Sequence, residues 1–123
     1  MMNPPTPTSS GTLSADPGLI AVDWGTSSLR AAALDAQGRV MSERSTARGI
    51  TTVAAGGHAA ELAALLDGWP AHQVPLVLCG MIGSRQGWHE VAYVEAPCSA
   101  DELAAGMVAK EVDGMRLCFV PGV

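Results

Sequence analysis

Residues 23–30 bring a carboxylate, a glycine, three hydroxyls and a cation into one short segment. Gly25 allows a sharp turn, and successive N–H groups in such a turn, with the hydroxyls of Thr26 and Ser27, can hold phosphate oxygens. Asp23 would repel phosphate unless a divalent cation stood between them, so the segment favours Mg²⁺ held by this carboxylate, by waters and by phosphate oxygens. Arg30 either balances charge nearby or points away on the next strand. The segment is not a P-loop, since no Gly-Lys-Ser/Thr follows, and an ordinary hairpin turn is the alternative.

A second segment, residues 79–88, is rich in glycine and carries side chains suited to a small acidic sugar. Its glycines allow close backbone approach just after a predicted strand, where ligands bind in open α/β sheets. Arg85 offers a planar fork for a carboxylate, and Trp88 offers an apolar face for a carbon skeleton. The candidate binding residues of this segment are Gly83, Ser84, Arg85, Gln86 and Trp88. The alternative is a loop packed on Trp88, with Arg85 in a solvent-exposed ion pair.

The elements that position the first segment are predicted as strand–turn–strand–turn–strand over residues 19–46. Residues 19–22 are an apolar run typical of a buried strand, and two further short runs are joined by a turn at Gly38. A helix is predicted from near Gly57 to before Pro70, because apolar residues follow at i, i+3, i+4 and i+7. These residues are Leu62, Leu65, Leu66 and Trp69.

The second half of the chain is predicted to alternate between strands and helices. A buried strand at 74–79 precedes a loop from Gly80 to Pro97, in which residues 91–94 could form a short strand. Ser99 and Glu102 have the spacing of a capping box, which introduces a helix that extends to Lys110. A last strand at 115–120 follows, and its apolar end predicts an unpaired or poorly covered strand. The pattern is α/β, a mixed sheet with helical cover.

Composition excludes several classes of protein. Seven Lys and Arg against twelve Asp and Glu give a net charge of −5, without the basic surface that nucleic-acid binding needs. Three cysteines, widely spaced, favour buried thiols in a reducing cytoplasm over disulfides or zinc. No secretory signal or membrane-spanning apolar run is present. The three histidines are predicted to have no role, with His58 and His72 at the surface.

Both segments resemble known sequences. The motif Asp23-x-Gly25-Thr26, followed by a hairpin, resembles the first phosphate loop of the sugar kinase, Hsp70 and actin superfamily. Residues 79–88 resemble the signature of the 2-dehydro-3-deoxygalactonokinase family, as do residues 90–94, Pro97 and the closing residues 119–122. The resemblance covers about residues 18–123. It implies a ribonuclease-H-like lobe with a mixed sheet that starts in a three-strand meander.

The resemblance also implies a reaction. ATP would donate its γ-phosphoryl group to the 6-hydroxyl of 2-dehydro-3-deoxy-D-galactonate, with Mg²⁺ as the metal. Asp23 would organise Mg²⁺ through water, Gly25, Thr26 and Ser27 would hold phosphate oxygens, and residues 80–88 would hold the sugar acid. The general base is expected beyond residue 123, because the remaining candidates sit in turns or at helix starts. These candidates are Asp35, Asp67, Asp101 and Asp113.

Under this interpretation residues 1–17 are a flexible leader and 18–123 are the N-terminal lobe of a sugar-acid kinase. A second lobe, which these residues do not include, would complete the nucleotide site, so the chain alone is expected to be inactive. The expected partners are the sugar acid and ATP, without nucleic acid or membrane. The alternative is a non-catalytic, ligand-binding or partner-binding remnant of that lobe. A phosphatase of the exopolyphosphatase type is a third hypothesis, and residues 80–85 argue against it.

Overall fold

One mixed six-stranded sheet organises the chain in the computed structural model, which describes residue 13 and residues 15–122. The strands are β1 (Leu19–Trp24), β2 (Leu29–Leu34), β3 (Val40–Thr46), β4 (Leu76–Cys79), β5 (Val108–Val112) and β6 (Met115–Phe119), and the helices are α1 (His58–Leu65) and α2 (Ala100–Ala105). Their order in the sheet is β3-β2-β1-β4-β6-β5. The α/β class and the opening three-strand meander are therefore confirmed.

The central strands β1, β4 and β6 run parallel, and the outer strands run antiparallel to their neighbours. Parallel neighbours need a crossover, which α1 provides between the meander and β4. As a result, the carboxyl ends of β1, β4 and β6 lie at one edge of the sheet. Both predicted binding segments leave the sheet at this edge, directly after β1 and directly after β4.

The hydrophobic core lies on one face of the sheet. In β1 alternate residues are buried, and the register places Val22 beside Ala31 of β2 and Leu78 of β4, both also buried. Leu62 of α1 is fully buried against this face. The predicted helix ends earlier than expected, at Leu65. The chain then turns through backbone hydrogen bonds between residues three apart in sequence.

The opposite face of the sheet carries smaller and more exposed side chains. Ala21 of β1 is paired with Ala32 of β2 and Val77 of β4, and all three are half-buried. Further along the same rows, Asp23 stands between Arg30 and Cys79, and all three residues are exposed. The carboxylate that is predicted to hold Mg²⁺ therefore faces away from the core.

The prediction of a helix reaching Lys110 was wrong. The capping box at Ser99 and Glu102 is present, but α2 ends at Ala105, and residues 108–112 form β5. Strand β5 pairs with β6 through a two-residue turn in which Asp113 and Gly114 both have positive φ, 51° and 81°. Asp-Gly is the preferred sequence for such a turn, so hairpin pairing determines the structure of residues that have helical spacing.

Three smaller expectations also need correction. The last strand is not unpaired, because β6 lies between β4 and β5 and Phe119 is fully buried. Residues 91–94 form no strand. The cysteines are free as expected but not buried, since Cys79 is exposed and Cys98 and Cys118 are half-buried.

The predicted leader, residues 1–17, lies mostly outside the described residues. Of its described part, Leu13 packs partly buried against the core and Pro17 is buried. Among the residues that the structure describes, no helix is both long and apolar enough to cross a membrane.

Candidate functional site

Asp23 and Arg30 face each other across the first hairpin. They are direct partners in the antiparallel β1–β2 pair, and Nη2 of Arg30 donates to Oδ2 of Asp23 at 3.0 Å. The side chains keep 65% and 50% of their surface exposed, Arg30 and Asp23 respectively. Of the two positions expected for Arg30, beside Asp23 or pointing away from it, the structure shows the first.

The turn between β1 and β2 is stabilised by backbone hydrogen bonds within the turn and from residues 50 and 51. Gly25 N–H donates to the carbonyl of Ser28 at 2.9 Å and closes the turn. The carbonyls of Gly25 and Thr26 accept from the N–H groups of Ile50 and Thr51 at 3.0 and 3.2 Å, and the Thr51 hydroxyl also donates to Thr26 O at 2.7 Å. The acceptors of the turn are therefore satisfied by the segment 49–52.

The donors of the turn remain available. Within the part of the chain that the structure describes, the N–H groups and hydroxyls of Thr26 and Ser27 have no hydrogen-bond partner, and both residues are exposed. A turn whose carbonyls are hydrogen-bonded and whose N–H groups have no partner can bind an anion.

Gly49, which sequence reasoning missed, makes this bracing possible. A Cβ at Gly49 would lie only 2.3 Å from the carbonyl oxygen of Thr26 and 2.4 Å from Ser27 N. Only glycine can therefore bring the segment 49–52 this close to the turn. The adjacent Thr51 and Thr52 could have suggested a hydrogen-bonding segment, but no local pattern connects them to a turn so far away in sequence.

Gly80 brings the second segment against Asp23. It follows β4 with φ of +98°, and a Cβ there would lie 2.8 Å from Trp24 O and 3.1 Å from Oδ1 of Asp23. The two predicted binding segments are therefore in contact at the same edge of the sheet. Cys79 lies beside them, and desolvation, together with the negative charge of Asp23, raises the pKa of its thiol.

The segment after Gly80 folds as a short 3-10 turn, Met81–Gly83, followed by a tight loop. Gly83 is buried beneath this loop, and its carbonyl accepts from Val91 N–H at 2.9 Å. The Ser84 hydroxyl donates to Met81 O at 2.6 Å and accepts from Gln86 N–H at 3.2 Å. Gly83 and the Ser84 hydroxyl thus shape the loop, while the side chain of Gln86 is exposed to solvent.

Arg85 lines a cleft of about 550 Å³. Its side chain is 88% exposed, and the one ion pair it forms within the described part of the chain is a loose one, with a Glu90 oxygen 4.0 Å away. The guanidinium is therefore available to a ligand. The other lining residues are Met81, Ser84, Gln86, Glu90, Val91, Ala92 and Tyr93.

Two smaller depressions connect this cleft to Asp23. One, of about 300 Å³, shares Met81, Ser84 and Tyr93 with the large cleft. It shares Cys79 with the other, a depression of about 250 Å³ that contains Asp23 and Arg30. The row of depressions therefore leads from the Asp23 carboxylate to the Arg85 guanidinium.

Trp88 does not face this cleft but packs inward. Its ring stacks on His58 and on His89, both at 5.6 Å between centroids, and meets Trp24 and Phe119 edge-on at 6.2 and 6.0 Å. The expectation that His58 lies at the surface was wrong, because its residual exposure is 9%. Burial lowers the pKa of His58 and of His89. A smaller contribution comes from the positive charge of His89 at His58, and from that of Lys110 at His89.

The Asp23 carboxylate fits a hard divalent cation. It is an oxygen ligand, half-exposed, beside a turn whose N–H groups are free, and Mg²⁺ in proteins is usually bound by one or two carboxylates with waters and phosphate oxygens. Among the described residues no three His, Cys, Asp or Glu side chains gather into a ligand set. A metal at Asp23 would therefore need ligands from the nucleotide and from water.

Comparison with known proteins identifies the family. The family model 2-keto-3-deoxy-galactonokinase matches residues 23–123. The probable 2-dehydro-3-deoxygalactonokinase of Rhizobium meliloti (strain 1021) is 43% identical over 109 residues, which are 84% of this chain and 34% of the relative. The 2-dehydro-3-deoxygalactonokinase of Escherichia coli (strain K12) is 30% identical over 104 residues, 85% of this chain and 34% of the relative.

A crystal structure of a protein from Sinorhizobium meliloti that carries the same kinase name superimposes on this chain. The TM-score is 0.71 at 40% identity, covering 85% of this chain and 34% of the other. The chain thus spans about a third of the length of the relatives that it matches. On the match over residues 23–123, the chain belongs to the 2-keto-3-deoxy-galactonokinase family, a family of kinases.

Proposed function

We propose that this chain supplies the first phosphate loop and the sugar-acid loop of an enzyme that transfers the γ-phosphoryl group of ATP to the 6-hydroxyl of 2-dehydro-3-deoxy-D-galactonate. The observation that carries the proposal is the contact of the two loops at Gly80, where an added Cβ would lie 3.1 Å from Asp23 Oδ1. Phosphoryl transfer depends mainly on holding donor and acceptor together, so two anion-binding loops at one sheet edge suit it.

The turn after β1 would hold the phosphates. The free N–H groups of Thr26 and Ser27 would donate to phosphate oxygens, and Gly25 leaves room for a close approach. Asp23 would hold Mg²⁺ through water, and the metal would supply charge neutralisation between the phosphate oxygens. Arg30, already 3.0 Å from Asp23, would keep that carboxylate in place and limit the negative charge of the site.

The loop after β4 would hold the sugar acid. Arg85 would form a charge-assisted hydrogen bond to the carboxylate, which is geometrically strong when the guanidinium fork binds both oxygens. Gln86, at the same cleft, would hydrogen-bond a hydroxyl. Trp88 would support the loop from below instead of contacting the carbon skeleton, because four other rings surround it.

We assign the general base to no residue of this chain. Asp35 accepts two backbone N–H bonds inside the second turn of the meander, Asp101 lies in the first turn of α2, and Asp113 lies in the β5–β6 turn. None of them lines the row of depressions between Asp23 and Arg85. We therefore expect no phosphoryl transfer by the 123-residue chain on its own.

Amide chemical shifts of the isotopically labelled chain test this proposal. Mg²⁺ with pyrophosphate should shift the amide signals of residues 25–28, and 2-dehydro-3-deoxygalactonate should shift those of residues 84–93. D-Galactose, which lacks the carboxylate, is the control and should leave the second group unchanged. Shifts by either ligand confined to other parts of the chain would refute the proposed sites.

A further inference from the structure

The predicted sugar-acid loop packs on the core through Ile82, Val91 and the ring of Trp88. Directly after the exposed turn that carries Arg85, Trp88 N–H donates to Ile82 O at 2.8 Å. A Cβ at Gly87 would lie 2.1 Å from that same oxygen, so only glycine permits this tight crossing. The position of Trp88 therefore sets the position of the Arg85 turn.

His58 reaches this ring from a different part of the chain. It is the first residue of α1, and its imidazole stacks on Trp88 at 5.6 Å with 16° between the planes. The same imidazole meets Trp24 edge-on at 5.6 Å and 68°. Trp24 is fully buried and directly follows Asp23, and its indole N–H donates to Arg48 O at 2.9 Å.

His58 thus contacts the ring that supports the sugar-acid loop and the ring beside the phosphate loop. Its side chain forms no hydrogen bond with the described residues, so its ring contacts determine its position. Aromatic pairs in these geometries contribute beyond their buried area. A purely space-filling residue at the start of α1 would not need a flat ring parallel to Trp88.

We propose that His58 is a positioning residue of the kinase site: its ring fixes Trp88 against Trp24 and thereby holds the Arg85 turn in place beside Asp23. This inference rests on the proposed function for the identity of the ligand, but the loop geometry is testable without any ligand. A flat ring at position 58 is the essential feature, so phenylalanine should replace histidine and an aliphatic residue should not.

Limited proteolysis by trypsin measures the order of the loop in the intact 123-residue chain. Arg85 is 88% exposed, and Arg39, in the second turn of the meander, is 77% exposed and serves as an internal reference. Cleavage of native protein needs local unfolding around the bond. In His58→Leu, cleavage after Arg85 relative to Arg39 should rise about tenfold, and His58→Phe should restore the original ratio.

Leucine is chosen because it preserves the apolar volume, whereas alanine would leave a cavity that could unfold the chain. Equal acceleration at Arg85 and Arg39, or an unchanged ratio in His58→Leu, would overturn the positioning role. Protection of Arg85 by 2-dehydro-3-deoxygalactonate in the unaltered chain tests the proposed function separately. A raised cleavage ratio in His58→Leu without protection by the sugar acid would contradict the ligand assignment and support the positioning role. Protection with an unchanged ratio would support the ligand assignment and contradict the positioning role.

Discussion

Arg30 and Asp23 form an ion pair across the first hairpin, with 3.0 Å between Nη2 and Oδ2. An exposed pair of this kind contributes at most about 1 kcal/mol to folding. The guanidinium contacts one carboxylate oxygen, and Oδ1 is the carboxylate oxygen near Gly80, so we propose that the pair serves the site more than the stability of the fold. Activity is predicted for a chimera in which residues 23–122 replace the matching third of the Rhizobium meliloti relative, and stability is predicted for the 123-residue chain itself.

Asp23→Ala should lower kcat of the chimera about a hundredfold, because the metal and the phosphates would lose the group that places them. The free energy of unfolding should change little, since the carboxylate is half-exposed. Steady-state kinetics with ATP and the sugar acid measure the effect. Asp101→Ala, an exposed carboxylate at the start of α2, is the matched control and should leave kcat unchanged. Near-normal kcat in Asp23→Ala would remove Asp23 from the mechanism.

Arg85→Ala should raise KM for the sugar acid by about tenfold or more, the worth of a charge-assisted hydrogen bond, with a smaller effect on kcat. The KM of Arg85→Lys should lie between those of the unaltered chimera and Arg85→Ala, because lysine keeps the charge but loses the planar fork. Arg39→Ala removes an equally exposed arginine outside the cleft and should not alter KM. If all three variants show the same KM, Arg85 does not bind the carboxylate.

Gly80→Ala should destabilise the chain more than Gly38→Ala does. Both glycines have positive φ, +98° and +82°, so both substitutions cost about 1–2 kcal/mol of backbone strain. Nothing lies within 4 Å of a Cβ at Gly38, whereas one at Gly80 would lie 2.8 Å from Trp24 O. The crowding should add about 1–3 kcal/mol, measured by urea unfolding of the 123-residue chain. Equal losses for the two variants would show that the two loops do not touch.

The free energy of unfolding should fall as the pH falls below about 6.5. Burial lowers the pKa of His58 and His89 in the folded chain from their ordinary value of 6.5, so below that pH the unfolded chain binds protons that the folded chain does not. The loss should level off below the folded pKa values. Urea unfolding between pH 5 and 8 measures it. The double variant His58→Phe, His89→Phe should show a flatter profile, and an unchanged profile would contradict the assignment.

Local sequence patterns were sufficient to predict much of the fold. The glycine and hydroxyls after Asp23 predicted the hairpin, and the apolar stripe of Leu62 and Leu66 predicted α1. Strand β5 was mistaken for helix because Leu103, Met107 and Val108 have helical spacing. The pairing that overrides this spacing involves β6, and the preference of Asp113-Gly114 for a two-residue turn was the clue.

Local patterns also indicated the two loops of the candidate site, but not the contacts between them. The residues of the two loops are local motifs, and the structure brings them together at Gly80. His58 was assigned to the surface because its burial depends on Trp24 and Trp88, which only the folded sheet places beside it. The bracing of Thr26 by Thr51 is likewise a contact between distant segments, which no local pattern reports.

A coupled kinase assay on the chimera tests the central claim most directly. With ATP, Mg²⁺ and 2-dehydro-3-deoxygalactonate, we predict turnover by the chimera, a rate about a hundredfold lower in its Asp23→Ala variant, and no turnover by the 123-residue chain alone. A chimera that folds, as judged by its thermal unfolding and gel filtration, but phosphorylates no sugar acid would contradict the claim that these residues supply the phosphate loop and the sugar-acid loop.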